Sequence, residues 1–251
     1  MSDREKLREE ILKAAQKVDY SYRPDFIYKT RNPYSEKISV YDSFVCRDDI
    51  AEGHRGKWNQ EVFKRELPLH VEIGTGFGHF MHEYCSKNPE LNFVGLDYRF
   101  KRSFELAQKL EKIKIKNFRY LRAKGERLGF LFDKQEIDTL FYFFPDPWPK
   151  AKHRKKRLFQ ERFLKIAHSV LKPEGTFYIK TDHDGYYEWM DEVIKIYHEN
   201  KDNPPFEIKL NTTDLKGEHP EHFLSSFETK FEKIFLKKGI RIKALELVKK
   251  T

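Results

Sequence analysis

The sequence predicts an α/β protein built on a doubly wound, mostly parallel sheet of seven strands. Three observations carry this. From residue 69 onward, short apolar runs of strand length alternate with amphipathic segments of helix length, the pattern of repeated strand–helix–strand units. The first run, Leu69–Ile73, leads into a glycine-rich turn, Gly74-Thr75-Gly76-Phe77-Gly78. Acids stand at or just past four predicted strand ends: Glu72, Asp97, Asp146 and Asp182. In open sheets of this class, ligands bind outside the carboxyl ends of the strands, where the strand order reverses. Scattered surface acids would not be expected at four such ends.

Along the chain, residues 3–18 place Leu7, Ile11, Ala14, Ala15 and Val18 on one helical stripe among charges. Residues 19–57 mix Tyr20, Tyr22, Arg23, Phe26, Tyr28, Arg31 and Tyr34 with prolines and have no period. They suit an arm that orders on a partner or a strap packed over the domain. Gly53 and Gly56 flank a hinge before Trp58, dividing the chain into an N-terminal helix and arm (1–57) and a domain (58–251). After the glycine turn an amphipathic segment runs to Lys87. The second strand, Asn92–Leu96, is closed by Asp97. Phe100, Phe104, Ala107 and Leu110 mark a helix, and strands follow at 118–121 and 137–144. Phe159, Phe163, Ile166 and Val170 give another helix, ended by Lys172-Pro173-Glu174-Gly175. A strand at 176–179, a helix at 186–198, a strand at 206–210 and an alternating run at 240–248 complete the series.

The 251 residues carry a net charge of +9 and a pI near 9.2, with 35% charged and 15% aromatic residues. This balance suits an enzyme that handles nucleic acid. Cys46 and Cys85 form no disulfide framework, no apolar run approaches spanning length, and the start lacks an apolar signal region. The expectation is a cytoplasmic protein, monomeric or homodimeric, with no membrane partner.

The most informative stretch lies at 141–157. An apolar strand is stopped by Pro145, Pro147 and Pro149, which cannot donate to a ladder and keep the backbone extended. One carboxylate, Asp146, and one large ring, Trp148, are thereby fixed on a stiff loop. Seven of the eight residues from Lys150 to Arg157 are Lys, Arg or His. A rigid acid and a ring beside this cationic apron suit a base attached to a polyanion. Lys150, Lys152, Arg154 and Lys156 are the candidate phosphate contacts. Trp148 serves equally as a core residue or as a platform for a base.

Gly74-Thr75-Gly76-Phe77-Gly78 is G-x-G-x-G, not the dinucleotide pattern G-x-G-x-x-G. Asp97, about twenty residues on, stands where an acid can accept both ribose hydroxyls. Glu72, just before the turn, would oppose a pyrophosphate but could hold an ammonium or attract a sulfonium. S-adenosylmethionine carries both cations and no phosphate, and it is favoured over a nicotinamide dinucleotide.

Glu72-Ile73-Gly74-Thr75-Gly76, Pro145-Asp146-Pro147-Trp148-Pro149-Lys150, Thr181-Asp182 and Thr229-Lys230-Phe231-Glu232 occur in an order that resembles the bacterial tRNA (guanine-N7)-methyltransferases, from about Trp58 to the C-terminus. The resemblance implies a class I methyltransferase fold, Rossmann-like in plan, S-adenosylmethionine as donor, and N7 of a guanosine in the tRNA variable loop as target. By the same resemblance Glu72, Gly74, Thr75, Gly76, Asp97, Tyr98, Lys124, Gly125 and Asp146 would lie on the cofactor side. Lys150, Asp182, Thr229, Lys230 and Glu232 would lie on the tRNA side. One departure stands out: many members have Asp-Ala where this chain has Lys124-Gly125-Glu126. A lysine cannot accept from the adenine amino group, so Glu126 or a backbone carbonyl must.

N7 of guanine has a lone pair and no proton, so methyl transfer to it requires no general base. Rate then comes from in-line positioning and from electrostatics as the base becomes cationic. Asp146 is the candidate catalytic residue because its prolines make it the most rigid acid, with Asp182 as the alternative. Thr229-x-x-Glu232 also reads as a helix capping box. His79 and His82, or His219 and His222, have ligand-like spacing without a completing cluster, so no metal is expected. Two other functions fit the same sheet: a nicotinamide-dependent oxidoreductase, disfavoured by Glu72, and a non-catalytic RNA-binding protein, disfavoured by the four acids.

Overall fold

A computed structural model of the chain describes residues 1–29, 31–41, 43–112 and 115–250. Thr30 and Asp42, within the span read as an arm, lie outside the described residues. The strands are β1 (Val45–Arg47), β2 (Leu69–Ile73), β3 (Asn92–Leu96), β4 (Phe118–Arg122), β5 (Ile137–Phe143), β6 (Leu171–Thr181), β7 (Phe206–Thr212) and β8 (Lys243–Lys249). They form one sheet in the order β1-β4-β3-β2-β5-β6-β8-β7. β8 runs antiparallel to both β6 and β7, and the other pairings are parallel. The order reverses between β2 and β5, so their carboxyl ends frame the crevice in which a doubly wound sheet binds its ligand.

Strand alternation divides the core between two faces. Val71, Ile73, Leu140 and Tyr142 pack with helices α4 (Glu161–Val170) and α5 (Asp184–Glu199). Phe93, Phe141 and Phe143 point the other way, to α2 (His79–Lys87) and α3 (Phe100–Glu111). Helix α1 (Asp3–Ala15) starts with a full capping box from Ser2 and Glu5 and buries Ile11 and Ala14. Its Arg4 and Arg8 reach Glu192 of α5, each at 3.0 Å.

Two expectations need correction. The sheet has eight strands, not seven. The extra strand is β1, in the span that shows no period; three residues are too few to display alternation, and what makes them a strand is the pairing of Val45 with Tyr120 on β4. β6 also begins at Leu171, so Lys172-Pro173-Glu174-Gly175 is an irregular lead-in to the strand. Glu174 takes φ 61°, and a Cβ on Gly175 would fall 2.8 Å from the Lys172 carbonyl oxygen.

The N-terminal span behaves as a strap. Arg127 donates to Glu52 through Nε and Nη2, both at 2.7 Å, and to the carbonyls of Ser21 (3.0 Å) and Arg23 (2.6 Å). Arg122, fully buried at the end of β4, pairs with Asp48. Tyr28 and Ala51 join the same core as Trp58.

Candidate active site

The four strand-end acids meet at the switch point. Two adjoining clefts open there, of about 250 Å³ and about 310 Å³. They share Gly74 and the ridge Phe144-Pro145-Asp146. Glu72, Thr75, Gly76 and Asp182 line the first cleft; Asp97, Tyr98, Lys124 and Gly125 line the second.

The glycine turn is built around Glu72. Gly74, Gly76 and Gly78 take φ of 83°, 56° and 66°, a region that L side chains rarely enter. A Cβ on Gly74 would meet nothing within 4 Å, while one on Gly78 would fall 2.8 Å from both Leu106 and Met81. The first glycine therefore leaves open space at the cleft, and the third allows the turn to pack on α3. The Thr75 hydroxyl donates to Glu72 Oε2 at 2.5 Å. Burial pushes the Glu72 carboxyl up to about 7, against that hydroxyl, which pulls it down. No described cation pairs with it.

Asp97, also buried, is held by the Arg99 N–H at 3.0 Å and by Arg102 at 3.3 Å. Asp146 is the exposed acid of the group; its one partner among the described residues is Arg99, at 3.4 Å. Its loop is nevertheless fixed. Phe144 and Trp148 on either side take left-handed φ of 49° and 44°, conformations that persist in non-glycine residues only where the surroundings over-determine them. The Phe144 N–H donates to the Lys180 carbonyl at 2.8 Å. At the far end Arg157 Nε donates to the Pro147 carbonyl at 2.9 Å, and its Nη1 to the Gly185 carbonyl at 3.1 Å. The Arg157 guanidinium lies over the rings of Tyr186 and Trp189, and burial pulls its pKa down to about 10. Arg157, the last residue of the cationic apron, is thus buried and committed to the loop. Trp148 is half-buried, with Lys156 Nζ 4.7 Å from its ring centre.

Lys124 lines the second cleft while its Nζ donates to Ser21 Oγ of the strap at 2.6 Å. Glu126, with its carboxyl pushed up by burial, lines the same cleft. Gly125 packs closely under Leu158: a Cβ there would fall 2.5 Å from the end of that side chain, which would have to shift.

A family model described as a putative methyltransferase matches residues 66–245. A tRNA (guanine-N(7)-)-methyltransferase of Macrococcus caseolyticus is 33% identical over 85% of this chain and 96% of its own length. The Enterococcus faecalis protein of that name is also 33% identical, over 87% and 96%. The chain belongs to the tRNA (guanine-N(7)-)-methyltransferase family. A bifunctional glycosyltransferase/methyltransferase of Fusobacterium nucleatum is 38% identical over 82% of this chain, which spans 31% of that longer protein. Among solved structures, the 16S rRNA methyltransferase KamB matches with a TM-score of 0.54 at 18% identity, over 76% of this chain and 92% of that one. That likeness supports the fold.

In this member of the family the residues expected on the tRNA side divide into three groups. Asp182, Thr229 and Lys230 line the first cleft with Phe77 and Phe231, two aromatic rings that are 39% and 53% exposed. Lys150 and Lys152 are exposed on the apron, Lys156 lines the second cleft, and Arg154 is paired with Glu10 of α1 at 2.6 Å. Glu232 lines neither cleft. It is fully buried, it completes the capping box with Thr229 at the start of α6 (Lys230–Lys237), and it pairs with Lys180. The resemblance places Glu232 on the tRNA side; in the structure its side chain is internal. Sequence reasoning missed Lys180 and Arg157. A lysine near the end of an otherwise apolar strand was a signal that it needs a buried partner, whereas nothing within a basic run distinguishes its one buried member.

Of the histidines with ligand-like spacing, His222 has its own partners: Glu246 at 2.8 Å and the Leu224 N–H at 3.1 Å.

Proposed function

We propose that this protein transfers a methyl group from S-adenosylmethionine to N7 of a guanosine in the variable loop of tRNA. The observation that carries the reading is Glu72: a buried carboxyl with a hydroxyl partner and, among the described residues, no cation paired with it, beside the open space at Gly74. A phosphate at that point would be repelled. An ammonium would supply the missing counter-charge, so the residues present fit this donor.

S-adenosylmethionine supplies a methyl group activated on a sulfonium. Glu72 would hold its amino group and Asp97 its ribose hydroxyls. With Lys124 drawn to Ser21, the adenine amino group is left to Glu126 or a backbone carbonyl. On the substrate side, Asp182 and Asp146 are the carboxylates able to accept from the guanine N1–H and N2–H. That contact would orient the ring and oppose the positive charge that builds on it. Among the described residues Asp182 has no partner for its carboxylate, which leaves it available. The exposed lysines of the apron suit the phosphates of the RNA.

Calorimetry tests the donor assignment. The Glu72 carboxyl, at about 7, must ionise to meet an ammonium, so affinity rises with pH through that value. Binding of S-adenosylmethionine is expected to weaken about tenfold from pH 8 to pH 6. Glu72→Gln should bind weakly with a flat profile. Binding of NAD in place of S-adenosylmethionine would overturn the donor, and a flat wild-type profile would remove Glu72 from the amino-group site.

A further inference from the structure

The Thr229–Glu232 stretch faces two ways. Lys230 and Phe231 are exposed at the first cleft, whereas Glu232 turns into the protein. Its Oε2 lies 2.5 Å from Lys180 Nζ, and neither side chain has exposed surface. The same ammonium donates to the carbonyls of Leu224 (3.1 Å) and Phe227 (2.7 Å), so its three protons are all used. The Lys180 backbone carbonyl, in turn, accepts from Phe144 at the head of the Asp146 loop. One residue thus ties two walls of the cleft together, its backbone holding the loop with Asp146 and its side chain holding the first turn of α6.

A buried ion pair is an expensive way to fill space. Burial pulls the Lys180 amine down against the attraction of Glu232, and two apolar side chains of similar volume generally give equal or better stability. What an apolar pair lacks is direction, whereas three hydrogen bonds from one ammonium fix a helix start in a single orientation.

We propose that Lys180 is a positioning residue of the transfer reaction: through Glu232 it sets the first turn of α6, and with it the place of Thr229, Lys230 and Phe231 on the RNA side of the cleft. This rests on the assignment of that side to the tRNA. Glu232 acts through the helix and does not touch the guanosine. Its Oε1 is buried and makes no hydrogen bond with a described residue, so the experiment also asks whether the base reaches that atom.

Four proteins are compared: wild type, Glu232→Gln, Glu232→Met and the double variant Lys180→Met/Glu232→Met. Each is assayed for melting temperature, S-adenosylmethionine affinity, and kcat and KM with unmodified tRNA. Gln keeps an acceptor for Lys180 and a capping group for Thr229, so its KM for tRNA should rise by no more than about threefold. Glu232→Met leaves the ammonium buried without its counter-charge and should melt lower. The double variant removes both charges and should recover the melting temperature. Its KM for tRNA should still stand at least about tenfold above wild type, a loss on the scale of a misplaced binding wall. Its donor affinity should stay within about twofold, because Glu72 and Asp97 are untouched. A double variant with wild-type KM would reduce the pair to packing. If Glu232→Gln instead lost as much activity as Glu232→Met, the carboxylate would be touching the base and the proposal would fall. Should the double variant not fold, that Gln-against-Met comparison decides alone. A wild-type protein that leaves tRNA unmethylated sinks the functional reading and this inference together, whereas an active wild type with unaffected variants sinks only the inference.

Discussion

Asp146→Asn is expected to lower kcat and kcat/KM together, by about a hundredfold, the usual loss for one preorganised electrostatic partner. The substitution keeps the shape of the side chain. The loop should hold, because its ends are fixed by the Phe144 N–H on Lys180 and by Arg157 on Pro147. What disappears is a negative charge on the ridge between the two clefts, between the sides proposed for the donor and for the RNA. Asp146 keeps most of its surface and has only a long contact with Arg99, so it is not committed to a structural ion pair. If it merely anchors the donor, KM for S-adenosylmethionine rises and kcat stays near wild type. Unchanged values of both in a folded variant would move the catalytic role to Asp182.

Asp48→Ala should produce the largest loss of stability, about 3 to 5 kcal/mol, because it leaves the Arg122 guanidinium buried without a carboxylate. For a chain of this length that corresponds to a fall in melting temperature of roughly 10 °C. The effect should reach the cofactor side as well. The Arg122 guanidinium centre lies 3.4 Å from the Phe100 ring centre and 4.8 Å from that of Tyr98, and Tyr98 lines the second cleft. Donor affinity should therefore fall with stability. A melting temperature within a degree or two of wild type would mean that the Arg122–Asp48 pair contributes little to stability.

Much of the layout of the candidate site could be read from the sequence because its parts are local. Glu72 and its glycines occupy one turn, Asp146 sits among its prolines, and Asp97 and Asp182 each close an apolar run. Periodicity locates such strand ends, and the doubly wound topology brings them together. What stayed hidden depends on contacts distant in sequence. β1 becomes a strand only through β4. Lys124 faces the strap because of Ser21, 103 residues earlier. The partner of Lys180 is 52 residues away, so the motif shows the capping box but not the buried ion pair that shares its glutamate. Arg157 differs from its basic neighbours only in having the Pro147 and Gly185 carbonyls and two aromatic rings within reach.

The central claim is methylation at guanine N7, and the site of modification tests it most directly. Unmodified tRNA is incubated with the protein and S-adenosylmethionine carrying a labelled methyl group, and the product is cleaved chemically at N7-methylguanosine. The account predicts label in the tRNA and a single new cleavage at a guanosine of the variable loop, absent without the protein. Label that enters the tRNA without creating that cleavage, or no transfer at all, would contradict it.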